Sequence, residues 1–135
     1  METKKNIVVV DDEPDAIEFV SAVLATVDNF NIIPAQDGEE GLQVIKKNKP
    51  DLVILDVMMP GQSGFDIFYL LRKDNTTKDI PVIMLTGVAD KAGIRFFKED
   101  MKKYYGYEPV DYIEKPLEPQ KLIETVRKVF NLQTK

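Results

Sequence analysis

The sequence predicts an α/β protein: one doubly wound, five-stranded parallel sheet with helices on both faces. Three observations carry the prediction. Apolar runs too short for a helix recur along the chain, segments of helical periodicity separate them, and four of the runs stop at an acid, a threonine or a lysine. Short continuous apolar runs are the mark of strands buried on both faces, and their alternation with helices specifies a parallel sheet. At 135 residues, the reading is one domain over 1–135, with a core over about 5–131.

The first run, Ile7 to Val10, ends at Asp11-Asp12-Glu13. Pro14 suits a first helical turn, and Ala16, Ile17, Val20, Val23, Leu24 and Val27 follow at helical spacing, with Phe19 off the stripe. Ile32 to Ala35 reads as a short strand whose Pro34 indicates a sheet edge, because proline cannot donate to a ladder. Asp37-Gly38 opens a helix to about Lys47, with Leu42 and Ile45 inward. Leu52 to Leu55 lacks alternation, as a central strand does, and runs out at Asp56.

Residues 58–64, Met-Met-Pro-Gly-Gln-Ser-Gly, form a loop by their Pro and Gly content. Phe65 to Lys73 is then helical, with Phe65, Ile67, Phe68, Leu70 and Leu71 as its apolar residues. Ile80 to Leu85 is the fourth strand, ending at Thr86-Gly87. From Ala89 to about Tyr105 the pattern is helical, with Ile94, Phe97, Met101 and Tyr104 in one arc and Phe96 outside it. Val110 to Ile113 is the last strand, Lys115-Pro116 follows, and Leu122, Ile123, Val126, Val129 and Phe130 mark a closing helix.

Composition narrows the function. The formal charge of −5 argues against direct nucleic-acid binding, which relies on clustered Lys and Arg. There is no cysteine, hence no disulfide framework or thiolate metal site. With no histidine the chain cannot carry phosphohistidine, so any such chemistry needs a partner's histidine. No segment reads as a signal peptide or a membrane span, and the expectation is a cytoplasmic protein with no membrane partner.

In a doubly wound sheet the carboxyl ends of the strands share one edge, where ligands bind. That topology gathers Asp11, Asp12, Asp56, Thr86 and Lys115 from across the chain. Taken alone, Asp56 ahead of Pro60 and Gly61 also fits a helix cap or a turn residue. Taken together, three carboxylates call for a hard divalent cation, magnesium or manganese. Lys115 and the Thr86 hydroxyl can meet a phosphoryl group from other sides, which leaves Asp56 as a nucleophile able to form an acyl phosphate.

The set Asp11-Asp12, Asp56 followed by Met-Met-Pro-Gly-Gln-Ser-Gly, Thr86-Gly87 and Lys115-Pro116 resembles the receiver domain of two-component response regulators, over nearly the whole chain. The resemblance implies the flavodoxin-like strand order 2-1-3-4-5. It implies that Asp56 accepts phosphate from a sensor histidine kinase or a histidine phosphotransfer protein. Asp11, Asp12, Asp56 and the backbone carbonyl of Met58 would hold Mg²⁺. Thr86 and Tyr112 would be the switch residues, and the Lys115-Pro116 bond would be cis.

The spacer between Thr86 and Lys115 is longer than in a compact receiver, which lengthens the fourth predicted helix. The family uses the surface of fourth helix, fifth strand and fifth helix to bind a downstream protein target or to form a phosphorylation-dependent homodimer. Phe96, Tyr105 and Tyr107 are candidates for a partner surface there, with capping of the long helix as the plainer reading. Met58 and Val88, two residues after the Asp and the Thr, are apolar and cannot orient water, so slow self-dephosphorylation is expected. The expectation is a stand-alone switch rather than an enzyme. Two alternatives stand beside it: an aspartyl-phosphate phosphohydrolase of the haloacid-dehalogenase type, which Met58 in place of a second acid disfavours, and an unphosphorylated pseudo-receiver scaffold.

Overall fold

The computed structural model describes residues 4–87 and 108–132. Its elements run β1 (Lys5–Val10), α1 (Pro14–Ala25), β2 (Phe30–Ala35), α2 (Gly38–Asn48), β3 (Leu52–Asp56), α3 (Gly64–Lys73), β4 (Val82–Thr86), β5 (Asp111–Glu114) and a C-terminal helix, α4 (Pro119–Val129). The five strands are parallel and lie in the order β2-β1-β3-β4-β5. β3 sits at the centre with every residue buried. β2 lies at an edge, as Pro34 requires.

Alternation along the strands divides the core in two. Val8, Val10, Val53, Leu55, Val82 and Met84 face α2 and α3, packing with Ile45, Ile67, Phe68 and Leu71. Ile7, Val9, Leu52, Ile54, Ile83 and Leu85 face the other way, against Ile17, Val20 and Leu24 of α1 and Leu122 and Val126 of α4. Among the described residues one helix pair therefore covers each face, and the prediction of helices on both faces holds.

Local chemistry sets the helix starts. Pro14 and Pro119 stand in the first turns of α1 and α4, where a missing N–H costs nothing. Asp37 caps α2 by accepting from the Glu40 N–H at 2.8 Å. Ser63 and Asp66 form a capping box at α3.

Several boundaries depart from the sequence reading. β2 starts at Phe30 rather than Ile32, because its pairing with β1 extends back to Lys5. β4 starts at Val82: Ile80 donates its N–H to the Thr77 carbonyl at 3.1 Å, in a turn, and Pro81 has no N–H to give. β5 is shifted one residue on, to Asp111–Glu114, leaving Val110 exposed. Leu70 points outward at 41% exposure, since Phe68 and Leu71 already fill the core-facing side of α3. α1 ends at Ala25, so Val27 lies beyond it. The predicted helix from Ala89 to Tyr105, with Phe96 and Tyr105, lies outside the described residues, as do Val88 and Tyr107.

Candidate functional site

Three neighbouring strands, β1, β3 and β4, end side by side. Asp11 follows β1, Asp56 closes β3 and Thr86 closes β4, while Lys115 follows β5. β1 pairs with β3 and β3 with β4, so these termini share one edge of the sheet. Asp11 is fully buried, Asp56 and Thr86 are each 4% exposed, and Asp12 is half-buried. Carboxylate oxygens of Asp11, Asp12 and Asp56 lie within 4.8 Å of one another.

Lys115 reaches into this group. Its Nζ donates to Asp11 Oδ2 at 2.9 Å, stands 3.5 Å from Asp56 Oδ2, and lies 3.9 Å from Glu13 Oε1. The Lys115-Pro116 peptide bond is cis. The backbone supports the side chains: Glu13 donates its N–H to Asp11 Oδ1 at 3.0 Å, and Met58 donates its N–H to Asp56 Oδ1 at 3.3 Å. The Thr86 hydroxyl donates across to the Ile113 carbonyl at 3.5 Å, a long contact, and so belongs to the rim of the cluster.

Electrostatics follow from the packing. Burial, and then the neighbouring Asp11 charge, push the Asp56 carboxyl up to about 7, with Lys115 and the Met58 N–H pulling the other way. For Lys115, burial alone would lower the ammonium. The bond to Asp11 and the charges of Asp56, Asp11 and Glu13 outweigh it and hold the group above its ordinary value. Two buried carboxylates with one lysine between them are short of positive charge. Their hard oxygen donors, with the half-buried Asp12 beside them, fit a divalent cation of the magnesium type.

Of the residues predicted for the site, Asp11, Asp12, Asp56 and Lys115 come together and Thr86 borders them. Tyr112 sits apart, on β5 opposite Met84, with its ring packed on the α3 side of the core. Burial and the Glu108 charge push its hydroxyl up to about 12. The Met58 side chain is 62% exposed and stands away from the core. Glu13 was missed as a contact of Lys115; the one available signal was its place as the third of three successive acids, at the start of α1.

A family model described as the response regulator receiver domain matches residues 7–127. The chain belongs to the response regulator receiver family. Among curated relatives, the DNA-binding response regulator MtrA of Mycolicibacterium smegmatis is 34% identical over 92% of this chain and 50% of its own length. The phosphate regulon transcriptional regulatory protein PhoB of Pseudomonas aeruginosa is 35% identical over 93% of this chain and 52% of its own. The solved structure of Vibrio cholerae chemotaxis protein CheY4, crystallised at low pH, superposes with a TM-score of 0.79. It is 28% identical and covers 94% of this chain and 99% of that one.

The receiver chain thus spans about half the length of these curated relatives. They are named as regulators. Receiver domains are phosphorylation-regulated switches, and this one carries the acidic cluster such a switch uses. Among the described residues, no helix is long and apolar enough to cross a membrane.

Proposed function

We propose that this receiver domain takes a phosphoryl group onto Asp56 from a phosphohistidine of a sensor histidine kinase or phosphotransfer protein, and signals by the change of surface that follows. The observation that carries the reading is Lys115 Nζ placed between Asp11 and Asp56, at 2.9 and 3.5 Å, beside three clustered carboxylates.

In the transfer, an Asp56 carboxylate oxygen attacks phosphorus, the P–O bond forms as the partner's P–N bond breaks, and the electron pair leaves on the imidazole nitrogen. Asp11, Asp12, Asp56 and the Met58 carbonyl would hold Mg²⁺ or Mn²⁺. When bound, such an ion neutralises charge on the phosphoryl oxygens. Lys115 supplies a second positive charge; its salt bridge to Asp11 keeps it aimed at the site. Asp56 is held in place by the Met58 N–H, and its near-complete burial limits access of water to the acyl phosphate.

Thr86 would turn its hydroxyl from the Ile113 carbonyl to a phosphoryl oxygen, exchanging one long hydrogen bond for a charge-assisted one. Tyr112 would then repack inward as the second switch residue. The responding surface would adjoin β5 and α4, with Phe96, Tyr105 and Tyr107 as its aromatic contacts to a protein target or a second copy. The acidic chain itself is read as binding neither DNA nor membrane, and as working in the cytoplasm. The domain is read as 1–135, switching rather than turning over a metabolite.

The test is a phosphate-affinity gel after treatment with acetyl phosphate and Mg²⁺. A retarded band that Asp56→Asn abolishes supports the reading. A band that survives the substitution reassigns the acceptor, and no band in the parent protein removes the proposal in favour of an unphosphorylated scaffold.

A further inference from the structure

Gly64, the first residue of α3, lies against the backbone that carries Asp56. A Cβ at this position would fall on the Asp56 carbonyl oxygen, and 2.9 Å from both the carbon of that carbonyl and the Cα of Val57. These are backbone atoms of a central strand end and cannot rotate away. Gly64 is buried, and it is not among the residues with positive φ, so what demands glycine is space rather than backbone freedom.

The contact is also bonded. Gly64 donates its N–H to the Val57 carbonyl at 2.8 Å, and Val57 donates its own N–H to the Leu85 carbonyl of β4 at 2.9 Å. The backbone leaving Asp56 is therefore clamped between β4 and the first turn of α3. The next N–H along, that of Met58, meets Asp56 Oδ1 at 3.3 Å.

We infer that Gly64 is a positioning residue of the phosphoryl- and metal-binding site: lacking a Cβ, it lets the first turn of α3 press on residues 56–57 and so fixes the Met58 peptide beside the Asp56 carboxylate. The inference rests on Asp56 being the phosphoacceptor and on the Met58 peptide serving the same site. A side chain at 64 must separate α3 from the end of β3, and the shift falls on the Asp56–Val57 backbone and on the Met58 peptide that follows it. Displacing a support of a metal ligand typically weakens metal binding by about 10–100-fold.

Gly38 supplies the control. A Cβ there would meet Ile67 Cδ1 at 2.8 Å and Gln62 Oε1 at 3.1 Å. Those are ends of flexible side chains, one on the same helix α3, and none belongs to the site. Gly38→Ala therefore disturbs α3 without touching the Asp56 backbone.

The experiment uses the full chain and three measurements: urea midpoint, Mn²⁺ affinity from the electron paramagnetic resonance of the free ion, and the rate of phosphorylation by acetyl phosphate. Gly64→Ala is expected to bind Mn²⁺ about tenfold or more weakly and to be phosphorylated more slowly by a similar factor. Gly38→Ala is expected to keep the parent affinity and rate whatever stability it loses. A folded Gly64→Ala with parent Mn²⁺ affinity overturns the inference, as does an equal loss of affinity in Gly38→Ala.

If Gly64→Ala does not fold, Ser63→Ala loosens the same turn by removing the capping box with Asp66. Weaker Mn²⁺ binding there supports the role, and unchanged binding refutes it. A parent protein that binds Mn²⁺ but takes no phosphoryl group would sink the proposed function alone, because the affinity comparison still decides the place of Gly64.

Discussion

Replacing Asp56 with asparagine should make the metal-free protein more stable at pH 8, although the residue sits at the centre of the site. Burial and the Asp11 charge raise the Asp56 carboxyl from 3.8 to about 7. Between those values the folded protein holds a proton that the unfolded chain has released, so the group's contribution makes stability fall as pH rises through the window. A shift of that size corresponds to roughly 4 kcal/mol of destabilisation by the ionised form above pH 7, at 1.36 kcal/mol per pH unit.

The amide recovers only part of this, because Lys115 loses its neighbour at 3.5 Å and the new NH₂ group needs an acceptor. The expected net gain is about 1–3 kcal/mol at pH 8, and less than half of that at pH 5, where most of the parent's Asp56 is already protonated. Urea unfolding followed by far-ultraviolet circular dichroism in EDTA reads it directly. With a slope of about 1–3 kcal/mol per molar urea, the midpoint at pH 8 should rise by roughly 1 M. Adding millimolar Mg²⁺ should raise the parent's midpoint more than the variant's, because a ligand stabilises the state it binds. A variant no more stable than the parent at pH 8, or one with the same gain at pH 5, would show that the carboxylates are not held against their own repulsion.

Lys115→Met should do the opposite: with the compensating charge gone, metal-free stability at pH 8 should drop by about 1–3 kcal/mol, and the loss should shrink at pH 5. The same urea series measures it. Met58→Asn should shorten the lifetime of the acyl phosphate, since an amide on this exposed side chain can orient water where a thioether cannot; radiolabel decay after donor removal is the assay, and an unchanged rate would refute it. Arg127→Ala should cost about 1 kcal/mol by removing the ion pair with Asp28, in which Arg127 Nε stands 2.9 Å from one carboxylate oxygen and a terminal guanidinium nitrogen donates to the other at 3.3 Å. Its midpoint shift should shrink in high salt, and a loss independent of salt would assign the effect to packing.

Most of the fold and the membership of the site were legible in residue order, and particular residues show why. Val8 and Val53 on one face, Ile7 and Leu52 on the other, follow from a two-residue period that needs no distant information. Pro34 pointed to an edge strand because a residue with no N–H cannot donate to a ladder from within a central strand. Strand boundaries were less legible. The extension of β2 to Phe30 and the late start of β4 depend on which neighbouring carbonyl an N–H finds, and a neighbouring strand supplies that partner.

The sequence by itself determined that Asp11, Asp12, Asp56, Thr86 and Lys115 end up on one edge, because each stands where an apolar run stops and parallel strands all stop on the same side. Tertiary structure alone decided how they meet. Lys115 bonds Asp11 more closely than Asp56, Thr86 turns to a carbonyl of β5, Glu13 joins the lysine, and Gly64 is pressed onto the backbone behind the acceptor. The physical reason is that periodicity specifies the face on which a side chain lies, whereas separations of a few ångströms arise from packing helices and strands that are remote in the chain. Charge energies depend on those separations and on burial, so the raised Asp56 carboxyl is a property of the folded site and of no single residue in it.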